Sequence, residues 1–328
     1  MSERVSLGVD VSKDSLDVCL LQGQESRYYQ VANHDEGFAD LQRWLRKCGV
    51  KKVRACLEAT GLYGEQLAEF MHKQGHEVAV VNPLRIKAYA ASQLTRNKTD
   101  RVDSKLIADF CRTQEVGLWS PPPAEWRELR ELVRHRSALV RIRQQERNRL
   151  CAGLHSDQVM AMLREHLLFI QKQIDELEKK IQEHIAQHPV QKHRASLLCS
   201  IPGISHVTAA VLLAEIRDLL AFDDVRELVA YAGLNPRQQR SGSSVFSPSR
   251  ISKTGNARIR AALYWPAISA LRSNPLIKPL CDRIVREGRP KMVAIVAAMR
   301  KLLHLAYGVL KHDRPFNPSH PSTLPALT

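Results

Sequence analysis

Four acidic residues stand where chemistry could be done: Asp10, Glu58, Asp100 and Asp103. Asp10 ends the apolar stretch Val5-Ser6-Leu7-Gly8-Val9, and Glu58 ends Lys52-Val53-Arg54-Ala55-Cys56-Leu57. Asp100 and Asp103 open a segment whose Leu106, Ile107 and Phe110 recur at helical spacing. Residues three apart share a helix face, so these two can address one point near the positive end of the helix. First-turn acids also serve as plain capping or surface groups. Four carboxylates brought together repel and raise each other's pKa, so their convergence calls for a cation. Mg2+, or Mn2+ in its place, takes oxygen ligands. Two such ions roughly 4 Å apart can hold the entering and leaving oxygens of an in-line phosphodiester displacement. Asp14 and Asp17 are rival acids. Asp14 falls in a turn and Asp17 inside a strand, so both rank below Asp10.

The elements that would position these acids follow from periodicity. Residues 5–9, 15–21 and 27–32 read as three strands with short links. Phe38, Leu41, Trp44 and Leu45 then recur at helical spacing up to Gly49. Strand 52–58, a helix through Leu67, Phe70 and Met71, strand 77–81 and a further helix complete the order β-β-β-α-β-α-β-α. That is a mixed α/β arrangement, and it is also the order of the ribonuclease-H-like fold, with Asp10 presented at the tip of its strand.

Lys and Arg number 49 against 34 acids, for a net charge of +15. A chain this basic is expected to meet a polyanion. No apolar run reaches the length of roughly 18 residues that spans a bilayer, and no apolar region follows Arg4 to make a signal peptide. The seven cysteines show no CxxC or Cys/His spacing, which fits reduced thiols and no zinc site. The expectation is a cytoplasmic protein without a membrane partner.

After Pro121-Pro122-Pro123, residues 125–150 read as one helix with eight arginines beside an apolar side. Arg130, Arg134 and Arg141 are its candidate phosphate contacts; a solvated helix laced with Glu/Arg pairs is the plain alternative. Leu163, Leu167, Ile170, Ile174, Leu177, Ile181 and Ile185 come close to heptad spacing, predicting a coiled-coil arm that folds back as a hairpin and has a part in dimerisation. Pro202-Gly203 between two apolar helices has the shape of a helix-hairpin-helix or of a plain helical hairpin. From Leu228 to Cys281 there is no Asp or Glu at all, against eight Lys and Arg. One-signed surface asks for a polyanion, and Arg237, Arg240, Arg250, Lys253 and Arg258 are its candidate contacts. Within this span, Arg240-Ser241-Gly242-Ser243-Ser244-Val245 reads on its own as an ordinary Gly/Ser loop. A serine there could attack phosphorus only if its proton were removed and arginines held the phosphate charge. The helix carrying Met292, Ile295, Val296, Met299 and Leu302 reads as core.

Gly8-Val9-Asp10-Val11-Ser12-Lys13, Leu57-Glu58-Ala59-Thr60-Gly61 and Arg96-Asn97-Lys98-Thr99-Asp100-Arg101-Val102-Asp103 together resemble the motifs of the DEDD insertion-sequence transposases. These are recombinases with a RuvC-like N-terminal domain, and members use a guide RNA from the element's own flank. Gly233-Leu234-Asn235-Pro236, Ser241-Gly242-Ser243-Ser244 and Ile251-Ser252-Lys253-Thr254-Gly255 resemble the family's C-terminal motif. The resemblance runs from residue 5 to residue 314. It implies a RuvC-like catalytic domain over 1–120, an Arg-rich helix and coiled-coil arm over 121–190, a mainly α transposase domain over 191–314 and a tail over 315–328. It further implies a metal-binding tetrad of Asp10, Glu58, Asp100 and Asp103, and Ser241 as a nucleophile forming a phosphoserine link to DNA, with Ser243 and Ser244 as register alternatives. DNA at element ends and target, a guide RNA and further copies of the chain, as dimer or tetramer, are the implied partners. A junction-resolving nuclease that uses water, and a non-catalytic binding protein on the same scaffold, are the rivals.

Overall fold

The computed structural model describes residues 5–59, 61–93, 99–153, 156–216, 222–241 and 245–319. They divide into two compact units, Met1–Pro121 and Pro122–Thr328.

In the first unit the chain runs β1 (Ser6–Val11), β2 (Ser15–Gln22), β3 (Glu25–Ala32), α1 (Asp35–Lys47), β4 (Arg54–Glu58), α2 (Leu62–Lys73), β5 (Glu77–Val81), α3 (Pro83–Ser92) and α4 (Asp100–Thr113). The strands form one mixed sheet in the order β3-β2-β1-β4-β5. β1–β2 and β2–β3 are antiparallel, while β1–β4 and β4–β5 are parallel. Strand residues alternate between faces. Leu7 and Val9 bury one face of β1 with Phe38, Leu41 and Leu45 of α1 and Leu67 and Met71 of α2. Cys56, Ala79 and Val81 bury the other face with Ile107, Phe110 and Cys111 of α4. The result is a sheet between two helical layers, compatible with a ribonuclease-H-like domain. β1 extends one residue past Asp10, so this acid lies inside the strand end and not at its tip.

The second unit contains α5 (Ala124–Leu150), α6 (Asp157–Gln187), α7 (Pro189–Cys199), α8 (His206–Glu215), α9 (Val225–Tyr231), β6 (Pro236–Ser241), β7 (Val245–Ile251), α10 (Ala257–Ser273), α11 (Lys278–Arg286) and α12 (Lys291–Lys311). α5 and α6 pack as a helical hairpin around Leu139, Ile170 and Ile174, crossed by an Arg136–Glu178 ion pair of 2.6 Å. Beside these helices an antiparallel hairpin of β6 and β7, not foreseen from the sequence, flanks the expected Gly/Ser loop, whose Gly242, Ser243 and Ser244 lie outside the described residues. α11 is a further helix that the sequence pattern did not announce. The expectation that no segment is apolar enough to cross a membrane also needs correcting. By length and composition α12 qualifies, with a mean hydropathy of 1.6, yet most of it is buried. Ala298, Leu302, Leu303 and Ala306 are fully enclosed in the core of this unit.

Candidate active site and nucleic-acid surface

Asp10 and Glu58 come together through strand register. Val9 pairs with Leu57 in the parallel ladder, which places the next residues, Asp10 and Glu58, at the C-terminal ends of adjacent strands. In open α/β sheets such strand ends are where ligands bind. Both acids belong to the face that α4 covers, because Gly8 and Cys56, each two residues earlier, pack against that helix.

α4 brings the other pair. Thr99 is its N-cap, with Oγ1 accepting from the Val102 N–H at 3.3 Å. This capping gives the Thr of the Asn-Lys-Thr-Asp motif a local job and sets Asp100 and Asp103 in the first turn. Asn97 and Lys98 of that motif, like Thr60 of the Glu58 motif, lie outside the described residues. The helix can cross β1 closely because residue 8 is glycine. A Cβ there would stand 2.1 Å from the Ser104 carbonyl oxygen and 2.2 Å from the Ala108 nitrogen. Both are helix backbone atoms, so α4 would have to lift. Gly8→Ala is therefore expected to cost about 3 kcal/mol, the upper end of overpacking costs, and to lose DNA cleavage with it as Asp100 and Asp103 move off. Thermal denaturation together with a cleavage assay checks this.

The charges of Asp100 and Asp103 reach Asp10. The Asp10 carboxyl is held above its ordinary value of 3.8, first by burial and then by the charges of Asp103, Asp100 and Asp17. Asp17 stands directly opposite Asp10 in the β1–β2 register and is buried. Being inside a strand therefore does not remove it from the site. The Tyr28 hydroxyl donates to it, as does Gln30 Nε2 at 3.1 Å. Burial and this bond to Asp17 push the Tyr28 pKa up to about 12, so Tyr28 stays a donor. Among the described residues, no three acid, histidine or cysteine side chains close on one point as metal ligands. The chemistry of these side chains nevertheless suits a hard divalent cation, since every candidate donor is a carboxylate oxygen.

The serine-bearing hairpin is built in the second unit. Gly233 and Gly255, from the two C-terminal motifs, meet at its base. Lys253 N–H donates to the Gly233 carbonyl at 3.1 Å, Ser252 N–H to Asn235 at 2.8 Å and Asn256 N–H to Tyr231 at 2.7 Å. A Cβ on Gly255 would lie 2.3 Å from the Tyr231 carbonyl oxygen, so only glycine fits. Arg260 ties the base together, donating to the carbonyls of Ala232 at 2.8 Å and Gly255 at 3.3 Å. Ser241 is the last residue of β6, paired with Val245. The side chains of Arg240 and Ser241 lie outside the described residues, as do Gly242, Ser243 and Ser244 entirely. Arg237, Arg250 and Lys253 flank the hairpin on its strands and at its base.

Not every candidate cation is turned outward. Arg134 makes a two-pronged ion pair with the enclosed carboxylate of Glu215, at 2.8 and 3.2 Å. Asn256 Nδ2 donates to the same carboxylate at 3.0 Å, and Arg258 Nε lies 3.8 Å away. Burial alone would raise the Glu215 pKa, but Arg134, Asn256 and Arg258 hold it below its ordinary value. Arg134 thus serves the fold of this unit, joining α5 to α8. Arg141 is exposed on α5 and Arg130 half-buried. The Pro202-Gly203 turn faces α10: a Cβ on Gly203 would come within 3.0 Å of the Pro266 carbonyl oxygen, and Asn274 Nδ2 donates to the Pro202 carbonyl at 3.1 Å.

Two families match this chain: IS110-type DEDD transposases over residues 7–157 and the IS116/IS110/IS902 transposase family over residues 195–281. A pilin gene-inverting protein of Moraxella bovis is 33% identical over 314 residues, covering 95% of this chain and 97% of that protein. The chain belongs to the IS110 transposase family. It is a DNA transposase or recombinase. More distant similarity reaches the transposase of insertion element IS1328 from Yersinia enterocolitica, 23% identical over 78% of this chain and 81% of that one. The transposase of IS1111A from Coxiella burnetii is 26% identical over 81% of this chain and 78% of that one. Both family matches fall on the parts of this transposase described above: the first contains the four acids, and the second contains the serine hairpin and its base.

Proposed function

We propose that this transposase cuts and rejoins DNA at insertion-element ends and target through two sets of groups. Asp10, Glu58, Asp100 and Asp103 hold divalent metal, Mg2+ or Mn2+, in a RuvC-like domain, and Ser241 is the attacking group. What supports this reading is the placement of Asp10 and Glu58 at neighbouring strand ends, with Asp10 held above its ordinary pKa by burial and by the charges of Asp103, Asp100 and Asp17. Bound there, divalent metal supplies charge stabilisation to the entering and leaving oxygens. This chain's own groups then divide the work. The acids fix the cleft, the cations around the hairpin hold the phosphate, and the serine hydroxyl attacks. As the Ser241 Oγ–P bond forms, the P–O bond to the leaving sugar breaks; the serine proton passes to solvent, and the departing oxygen takes up a proton to become a hydroxyl. A hydroxyl of the second strand reverses the exchange and restores the serine. Strand exchange needs two or more cut sites, so several copies act together, and acids and serine from different copies complete one another. An RNA from the element's flank pairs with both DNAs and selects them.

Full-length chain, expressed with its flanking RNA, is incubated with labelled element-end DNA and divalent cation and resolved under denaturing conditions. A covalent protein–DNA species is expected, and excess chelator abolishes it. Strand cleavage without any covalent species would instead favour the water-using nuclease, and cleavage surviving chelation would overturn the metal role.

A further inference from the structure

Trp265 stands on α10 with 71% of its area exposed, in a chain with four tryptophans. An indole offers a large apolar face whose burial is strongly favourable, so its place in water sets it apart from the rest of the helix. The opposite side of α10 is anchored. Ile259, Leu263, Pro266, Ala267 and Ala270 are buried, and the Gly203 turn presses against Pro266 and Ala270. The outer side carries Arg258, Ala261, Trp265, Ser269 and Arg272, all exposed. Their spacing of 3, 4, 4 and 3 makes them one stripe. The residues one turn to either side of the indole, Ala261 and Ser269, are short, so the ring stands clear of its own helix. Tyr264 holds it edge-on, with ring centroids 5.5 Å apart and planes at 79°. An arginine lies two turns beyond the indole at each end. Arg258 is 3.8 Å from Glu215 yet keeps 57% of its side chain exposed, and no acid occurs between Leu228 and Cys281.

We propose that Trp265 is a stacking platform for an unpaired base of a nucleic-acid strand, with Arg258 and Arg272 at the flanking phosphates. The inference rests on the reading of this chain as a recombinase, because exchanging strands between duplexes exposes unpaired bases. A flat aromatic face accepts any base, provided that base is free of its own stack, while arginines follow the backbone. Paired duplex offers phosphates and groove edges, not base faces, so the indole distinguishes the two forms. The charge of the stripe selects a polyanion over a second protein.

Full-length wild type, Trp265→Ala and Trp265→Phe are titrated by fluorescence anisotropy at one salt concentration. The probes are oligo-dT and oligo-rU of about 20 nucleotides and a duplex of the same length, and matched thermal melts report folding. Trp265→Ala is expected to weaken single-strand binding at least about fivefold, with duplex binding within about twofold and Trp265→Phe near wild type. Loss confined to dT identifies the base as DNA, and loss confined to rU identifies it as RNA. Wild-type single-strand affinity in Trp265→Ala, with duplex still bound, overturns the stacking role and leaves the recombinase reading standing. Equal loss on duplex and single strand overturns it too. So does a change in self-association with strand binding unaltered, which makes the indole a contact between copies. A wild-type chain that binds neither single-strand probe overturns the stacking role as well, whatever it does with duplex.

Discussion

Asp103→Asn is expected to lower strand cleavage at least about 10³-fold while leaving the chain as stable as wild type, and Asp10→Asn to do the same with a melting temperature at or above the wild-type value. Replacing carboxylate by amide keeps the shape and removes the charge. In the metal-free fold that charge is a burden at Asp10, because burial and the Asp103, Asp100 and Asp17 charges all oppose its ionisation. Its removal relieves repulsion, so folding gains where catalysis fails. An acid serving only structure behaves the other way. Asp17, held by Tyr28 and Gln30, is expected to destabilise the protein when replaced by Ala, since two donors then lose their acceptor. Melts in chelator, paired with cleavage in divalent cation, separate the two behaviours. A stable Asp103→Asn variant with wild-type cleavage would remove this acid from the metal site.

What could be read from the sequence here was what local chemistry decides. The strands ending near Asp10 and Glu58 announce themselves as apolar runs, and the α4 start by two acids before a helical stripe. What could not be read depends on contacts between distant residues. Asp17 faces Asp10 because the Ser12–Ser15 turn, with Ser12 N–H donating to the Ser15 carbonyl at 3.0 Å, sets the register of β1 against β2. A one-residue slip would have sent Asp17 to the other face. The role of Gly8 appears only when α4, about a hundred residues later, is laid across it. The β6–β7 hairpin escaped notice because its strands are polar and contain prolines. Pro248 is accommodated where the register shifts, in the stretch pairing Arg237–Gln239 with Ser247–Arg250, a place where a strand can lack an N–H. Arg134 looked like part of a phosphate-binding face, since nothing in α5 foretells the enclosed Glu215 that captures it.

Ser241→Ala is expected to abolish the covalent protein–DNA species and to reduce strand transfer about 10³-fold or more, with folding unaffected. The fold gives a reason to expect both halves. Ser241 contributes to the hairpin through its backbone pairing with Val245, which alanine retains, while the hairpin base is fixed elsewhere by Gly233, Gly255 and Arg260. Only an oxygen is lost, and it is lost from a segment whose surroundings in sequence carry cations and no acid. That setting suits a group which must approach a phosphate and share its charge. Ser243→Ala and Ser244→Ala decide the register: an adduct surviving in Ser241→Ala but lost in one of these moves the nucleophile by two or three residues without disturbing the rest of the reading. Mixing Ser241→Ala with Asp100→Asn tests the division of labour. Each alone is expected to be inactive, and recovery of strand transfer in the mixture requires that acids from one copy serve the serine of another. Mixtures that stay silent, under conditions where wild type assembles and reacts, would confine each active site to a single chain.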